Sequence, residues 1–306
     1  MSKKIVFMGT PEFSVPTLES LLNSDHKISA VYSQPASKAN RGQKIIPSNV
    51  EIFAKENSLN LRTPTRLDND EEFNFLKKLK PDIVIVVAYG KIIPKRFLGL
   101  SKHGFINIHA SLLPKWRGAA PIQRSIMNLD HETGVSIMKI VEELDAGPVM
   151  HQDKIKITEN VDALTLSKVL SKLGANSIMK AINKIEKGQA KFIEQNHSQA
   201  TYAKKVSKIE GQINWNESAR KVLAKINGLN PNPGAWFEYN NQRYKVWKAE
   251  IVNINSDVGK TTDDKLTIAC NSQSIKILEI QKEGKSRQLT EQFLLGNKIK
   301  KGESIY

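Results

Sequence analysis

Asn107 and His109 stand two residues apart in the run Phe105-Ile-Asn-Ile-His109. Side chains alternate along a strand, so the pair projects from one face while Ile106 and Ile108 take the other. Farther on, Glu142-Glu-Leu-Asp145-Ala-Gly-Pro148 sets a carboxylate into a turn. Together the three groups can support acyl transfer. Asn107 offers an amide N–H to an oxyanion, His109 moves a proton, and Asp145 orients or polarises the imidazole. A substrate amine that attacks directly needs no Ser, Cys or Lys nucleophile, so the trio favours transfer to an amine over a covalent acyl-enzyme. Each member alone also has a plainer reading: a satisfied structural histidine, a strand-end asparagine, and a turn aspartate bonding its own backbone.

The elements that must position these groups alternate in type. Ile5–Met8 and Ile28–Tyr32 read as strands, with Thr17–Leu22 as a helix between them. Glu51–Glu56 and Glu71–Leu79 read as helices, and Asp82-Ile-Val-Ile-Val-Val-Ala88 as a strand buried on both faces. Phe105–His109 and Val135–Ile140 follow as further strands. Strands alternating with helices predict an open, mostly parallel, doubly wound α/β sheet. Asn107 and His109 then fall at the C-terminal end of a buried strand, where such sheets place their ligands. Residues 163–187 predict one long helix: Leu166, Val169, Leu170, Leu173, Ile178, Ile182 and Ile185 keep an approximate 3.6 period, and Gly188 ends it.

Beyond it the chain changes character. Residues 189–207 follow neither period and read as a linker. Within 208–306, a short helix around Ala219–Ile226 stops at Gly228, and Asn240-Asn241 joins two strands as a hairpin. Strands near Leu266–Ala269 and Ile275–Ile280 complete the pattern of a small β-barrel. The domains expected are thus 1–188 and 208–306.

Composition narrows the classes. The chain has 306 residues, 40% hydrophobic and 25% charged, enough for a sizeable core. No run approaches the roughly 18 apolar residues of a membrane helix. The N-terminus Met1-Ser2-Lys3-Lys4 has no signal-peptide pattern, Cys270 is the single cysteine, and no Cys/His cluster has zinc spacing. A reduced, cytoplasmic, soluble protein without a metal is expected. The first strand ends in Gly9-Thr10-Pro11, with one glycine where a dinucleotide site needs several, and Walker A, His-Glu-x-x-His and Gly-x-Ser-x-Gly patterns do not occur. The formal charge of +15 suits a phosphate-rich partner as well as a lysine-rich surface. It concentrates in residues 168–208, with nine basic and two acidic side chains. A second basic feature is Ser37-Lys-Ala-Asn-Arg41-Gly-Gln-Lys44, inside the long polar stretch 33–48.

The pattern Asn107-x-His109-x-Ser111-Leu-Leu-Pro114, with Asp145 beyond it, resembles the 10-formyltetrahydrofolate-dependent formyltransferases. The thirteen residues Ser111-Leu-Leu-Pro-Lys-Trp-Arg-Gly-Ala-Ala-Pro-Ile-Gln123 narrow the resemblance to those members that act on methionyl-tRNA. Gly9-Thr-Pro-Glu-Phe13, Val87-Ala-Tyr-Gly90, Leu144-Asp-Ala-Gly-Pro148 and Ile213-Asn-Trp215 extend it over essentially the whole chain. Ala110 and Lys115 depart from the Gly and Arg frequent in relatives and touch none of the trio.

The resemblance implies a Rossmann-like catalytic domain with an OB-like C-terminal barrel that binds tRNA. It implies formyl transfer from 10-formyltetrahydrofolate to methionyl initiator tRNA, with Asn107, His109 and Asp145 catalytic. It assigns Ser111, Leu112, Leu113 and Pro114 to folate binding and Arg41 to the tRNA acceptor end, in a protein expected to be monomeric. A transferase acting on glycinamide ribonucleotide would match the first domain only and would want a glycine-rich phosphate loop after the first strand. A sugar formyltransferase would usually add a domain with a dinucleotide fingerprint. A non-catalytic RNA-binding protein would not need the trio.

Overall fold

The computed structural model describes residues 2–39 and 44–305. They form two compact units. The first takes in Met1–Gly118, Thr133–Ile155 and Ser167–Tyr202, and the second Ala119–Glu132, Lys156–Leu166 and Ala203–Tyr306.

The first unit is built on β1 (Lys4–Gly9), β2 (Lys27–Tyr32), β3 (Ser37–Ala39), β4 (Lys44–Ile46), β5 (Leu61–Arg62), β6 (Ile83–Val87), β7 (Phe105–His109), β8 (Arg117–Gly118), β9 (Glu132–Lys139) and β10 (Val149–Lys156). Seven of them make one sheet in the order β10-β9-β7-β6-β1-β2-β5. Every residue of β6 is buried, as a strand covered on both faces requires. β1 pairs in parallel with β2 and β6, β2 with β5, and β6 with β7, whereas β9 runs antiparallel to β7. The sheet is therefore mostly parallel with an antiparallel flank. Its chain order runs outward from β1 to β2 and β5, then returns to β6 on the other side. That reversal opens a crevice at the carboxyl ends of β1 and β6, the general ligand position of such sheets.

Sequence signals explain the helices. The helix Asn49–Glu56 begins where the Ser48 hydroxyl accepts from the Glu51 amide, and Asp70–Leu79 where Asn69 accepts from the Glu72 amide. The long helix spans Ala163–Glu186, and Gly188 follows at φ +67°. Val169, counted on its apolar face, is exposed instead. This helix lies close behind β7, since a Cβ at Gly174 would come within 2.9 Å of Ile108 Cγ2. Within the polar stretch 33–48, β3 and β4 pair antiparallel.

In the second unit, Ala235–Tyr239, Gln242–Val252, Ser274–Lys282 and Thr267–Ala269 form an antiparallel ladder in that order, with Gln288–Leu289 added to Ser274–Lys282. Asn240 and Asn241 take φ +49° and +57°, as a two-residue hairpin turn demands. The helix Ala219–Gly228 is capped by Ser218 and buries Val222, Leu223 and Ile226 with Phe237, Val246, Ile277 and Phe293. Residues 119–132 and 156–166, expected with the catalytic domain, cluster here. Arg124 in the helix Pro121–Met127 pairs with Glu210 at 2.6 Å and donates to the Lys204 carbonyl. Gly228 lets that helix come close, because a Cβ there would meet Met127 Cγ at 2.7 Å. Among the described residues no helix is long and apolar enough to cross a membrane, and no group of three or more His, Cys, Asp or Glu is placed to hold a metal ion.

Candidate active site

β7 delivers two of the three predicted residues. Asn107 pairs in register with Val86 of β6 and Met138 of β9, which puts it beside the sheet's crevice. Its carboxamide makes no hydrogen bond to the described residues and is partly exposed. His109 closes the strand and is 5% exposed. Its Nε2 lies 2.8 Å from the Trp116 carbonyl, to which it can donate.

Asp145 comes from the turn between β9 and β10, at φ +49°. Its Oδ2 lies 3.6 Å from His109 Nδ1, beyond hydrogen-bond reach. The same oxygen accepts from the Gly118 amide at 2.9 Å. The aspartate thus bonds a neighbouring strand and not its own turn, as its plainer reading had it. Asn107, His109 and Asp145 come together at the carboxyl end of β7, an interior strand of the sheet. Around them, segment 116–118 touches both ionisable partners: the Trp116 carbonyl faces His109 and the Gly118 amide holds Asp145.

The loop 111–114 is stapled from below. Ser136 of β9 donates to the Ser111 carbonyl at 2.6 Å and accepts from the Leu113 amide at 3.0 Å. Gln152 of β10 donates to the Leu113 carbonyl at 2.9 Å and to Ser136 Oγ at 2.8 Å. The Ser111 hydroxyl, itself buried, donates to the Lys115 carbonyl at 2.6 Å. Leu113 is buried and Leu112 and Pro114 are partly exposed, so the loop presents apolar surface from a fixed backbone. Opposite, at the ends of β1 and β6, Thr10 and Gln34 both donate to the Tyr89 carbonyl, at 2.8 and 3.0 Å, and Ser14 donates to the Val87 carbonyl. A Cβ at Gly9 would meet the Phe7 ring and Ser14 Cβ at 2.8 Å, which accounts for the single glycine there.

Sequence reasoning missed Ser136, Gln152, Arg117 and Gln195. Ser136 carries a faint signal, as the lone hydroxyl in the apolar run Val135-Ser-Ile-Met138. Gln195 carries none, because it lies in the aperiodic linker. Arg41 lies outside the described residues. Lys168, Lys172, Lys180, Lys184 and Lys187 of the basic stretch are exposed, and Lys180 pairs with Asp153.

The chain matches the family model described as formyl transferase over residues 3–182, and that described as formyl transferase, C-terminal domain, over 205–298. It belongs to the formyl transferase family. Within it, the chain is 52% identical to the methionyl-tRNA formyltransferase of Pelagibacter ubique, over 100% of this chain and 99% of that one. It is 41% identical to the methionyl-tRNA formyltransferase of Bradyrhizobium diazoefficiens, over 99% of each. A solved N-formyltransferase from Helicobacter canadensis, in complex with folinic acid and dTDP-3-aminofucose, superposes with a TM-score of 0.69 at 21% identity, covering 92% of this chain and 100% of that one. At that identity the likeness speaks for the fold.

Proposed function

We propose that this protein transfers the formyl group of 10-formyltetrahydrofolate to the α-amine of methionyl initiator tRNA, the step that prepares the initiator for translation. The observation that carries the reading is the convergence of Asn107, His109 and Asp145 at the end of β7. It occurs in a chain 52% identical over its full length to a methionyl-tRNA formyltransferase.

The amine nitrogen forms a bond to the formyl carbon, and the bond from that carbon to N10 of the carrier breaks. Asn107 donates to the oxygen that becomes negative in between, its carboxamide having no hydrogen-bond partner among the described residues. The amine loses one proton and N10 gains one, and His109 carries it. Asp145, fixed by the Gly118 amide, stabilises the charged imidazole across 3.6 Å. Ser111 to Pro114 hold the folate against the stapled loop, with the ends of β1 and β6 as the opposite wall.

Arg41 and the exposed lysines of 168–208 supply the phosphate contacts to the tRNA. The functional domains run over 1–188 and 208–306 with a linker at 189–207, a division supported by the gap between the two family matches. The protein works as a monomer in the cytoplasm. Formylation of methionyl initiator tRNA, measured beside methionyl elongator tRNA and glycinamide ribonucleotide, tests the reading. Activity confined to the initiator supports it, and activity only on the small amine defeats it.

A further inference from the structure

Arg117 is the largest fully buried side chain among the described residues, 1% exposed. The chemistry above gives it no role. Its Nε and Nη2 donate to Gln195 Oε1 at 3.1 and 2.9 Å. Nη1 lies 3.4 Å from the carboxylate of Glu143, whose side chain is 61% exposed, and 3.5 Å from His197 Nδ1. Gln195 is itself 7% exposed. Its Nε2 donates to the carbonyls of Asp145 and Gly147, both at 2.8 Å. One carboxamide therefore spends its acceptor on a buried guanidinium and both its donors on the backbone of the turn that carries Asp145.

That turn needs holding. Asp145 sits in the left-handed region, where a residue with a Cβ is disfavoured unless its surroundings fix it. It is also confined on the far side, since a Cβ at Gly147 would collide with the Lys139 carbonyl at 1.9 Å. Arg117 anchors the other partner. The residues on either side of it provide the carbonyl that faces His109 and the amide that holds Asp145. The Arg117 amide in turn donates to the Thr201 carbonyl at 2.8 Å.

We infer that Gln195, through Arg117 on one side and the Asp145–Gly147 backbone on the other, is a positioning residue that sets the distance between Asp145 and His109. It touches neither the reacting atoms nor the folate loop. The inference rests on the proposed function for its catalytic consequence, but not for its geometry.

Two substitutions separate positioning from mere support of Arg117. Gln195→Leu removes every contact at similar volume. Gln195→Glu keeps acceptors for Arg117 but turns a carboxylate oxygen toward two carbonyl oxygens, so only the hold on the turn is lost. Both variants should lower kcat for methionyl-tRNA formylation at least tenfold, with KM for tRNA and for the folate within about twofold of wild type. Independently of any substrate, hydrogen exchange of the Gly118 amide should accelerate at least tenfold in both, because its acceptor Asp145 has moved. Amides of Val135–Met138 should keep their protection and show that the sheet is intact.

A Gln195→Glu variant with wild-type kcat and an unchanged Gly118 amide overturns the inference, leaving Gln195 as a partner of Arg117 alone. A fall in kcat without faster Gly118 exchange overturns it too. If wild-type protein formylates no methionyl-tRNA, the proposed function fails, and the exchange comparison still decides the positioning.

Discussion

At the scale of single residues, the three residues proposed for catalysis differ in how each is held. Among the described residues the Asn107 carboxamide has no hydrogen-bond partner, whereas His109 has a protein oxygen beside each ring nitrogen and Asp145 is tied to a backbone amide. Asn107→Ala, His109→Ala and Asp145→Ala should each reduce turnover by about a hundredfold or more, the usual range for an oxyanion donor or an acid–base group. Circular dichroism on the same samples should show an intact fold, and a near wild-type rate in any one variant would remove that residue from the mechanism. Arg41→Leu should lower catalytic efficiency on initiator tRNA by roughly 1–3 kcal/mol, as for a lost charged hydrogen bond, with folate binding unchanged. Arg41→Lys should restore only part of it, because an ammonium cannot present the guanidinium fork. Cys270 plays no such part: burial pushes its thiol up to about 12, so it stays protonated.

At the scale of elements, β9 and β10 support the site from beneath. Ser136 takes part in three hydrogen bonds, to the Ser111 carbonyl, the Leu113 amide and Gln152. Ser136→Ala leaves buried backbone groups of the loop without a partner. Urea unfolding should report a loss of about 1–3 kcal/mol. KM for 10-formyltetrahydrofolate should rise more than kcat falls, since the loop and not the trio is released. Unchanged folate KM would detach Ser111 to Pro114 from folate binding.

At the scale of the whole molecule, Asp153 in the first unit and Glu210 in the second are carboxylates held in their charged form. Burial raises Asp153, but hydrogen bonds from Ser177, His151 and Lys180 outweigh it and bring it from 3.8 to about 2. The hydrogen bonds from Arg124 bring Glu210 from 4.5 to about 2, helped by the Ser207 amide. Both folded values lie below the unfolded ones. Their stabilisation is therefore full above about pH 4.5 and is lost as pH falls toward 2. Urea midpoints should drop between pH 5 and pH 3, and a variant carrying Asp153→Asn and Glu210→Gln should start lower and drop less. An equal drop in both proteins would place the acid sensitivity elsewhere.

The sequence by itself determined the principal elements and singled out the three residues proposed for the chemistry. Apolar runs such as Ile83–Val87, the two-residue spacing of Asn107 and His109 and the Asn240-Asn241 turn are local patterns, governed by backbone geometry within a few residues. Only the tertiary structure decided what surrounds those residues. Gln195 meets Asp145 from 50 positions away, and Gly118 meets it from 27. The antiparallel β9 was legible as a strand but not in its direction, because periodicity does not encode which way a strand runs. Residues 119–132 and 156–166 read as parts of the first domain by position alone, yet they cluster with the second, where Arg124 finds Glu210 and Gly228 admits Met127. Pairings across such separations follow from the packing of whole faces, and no local pattern in a single chain records them.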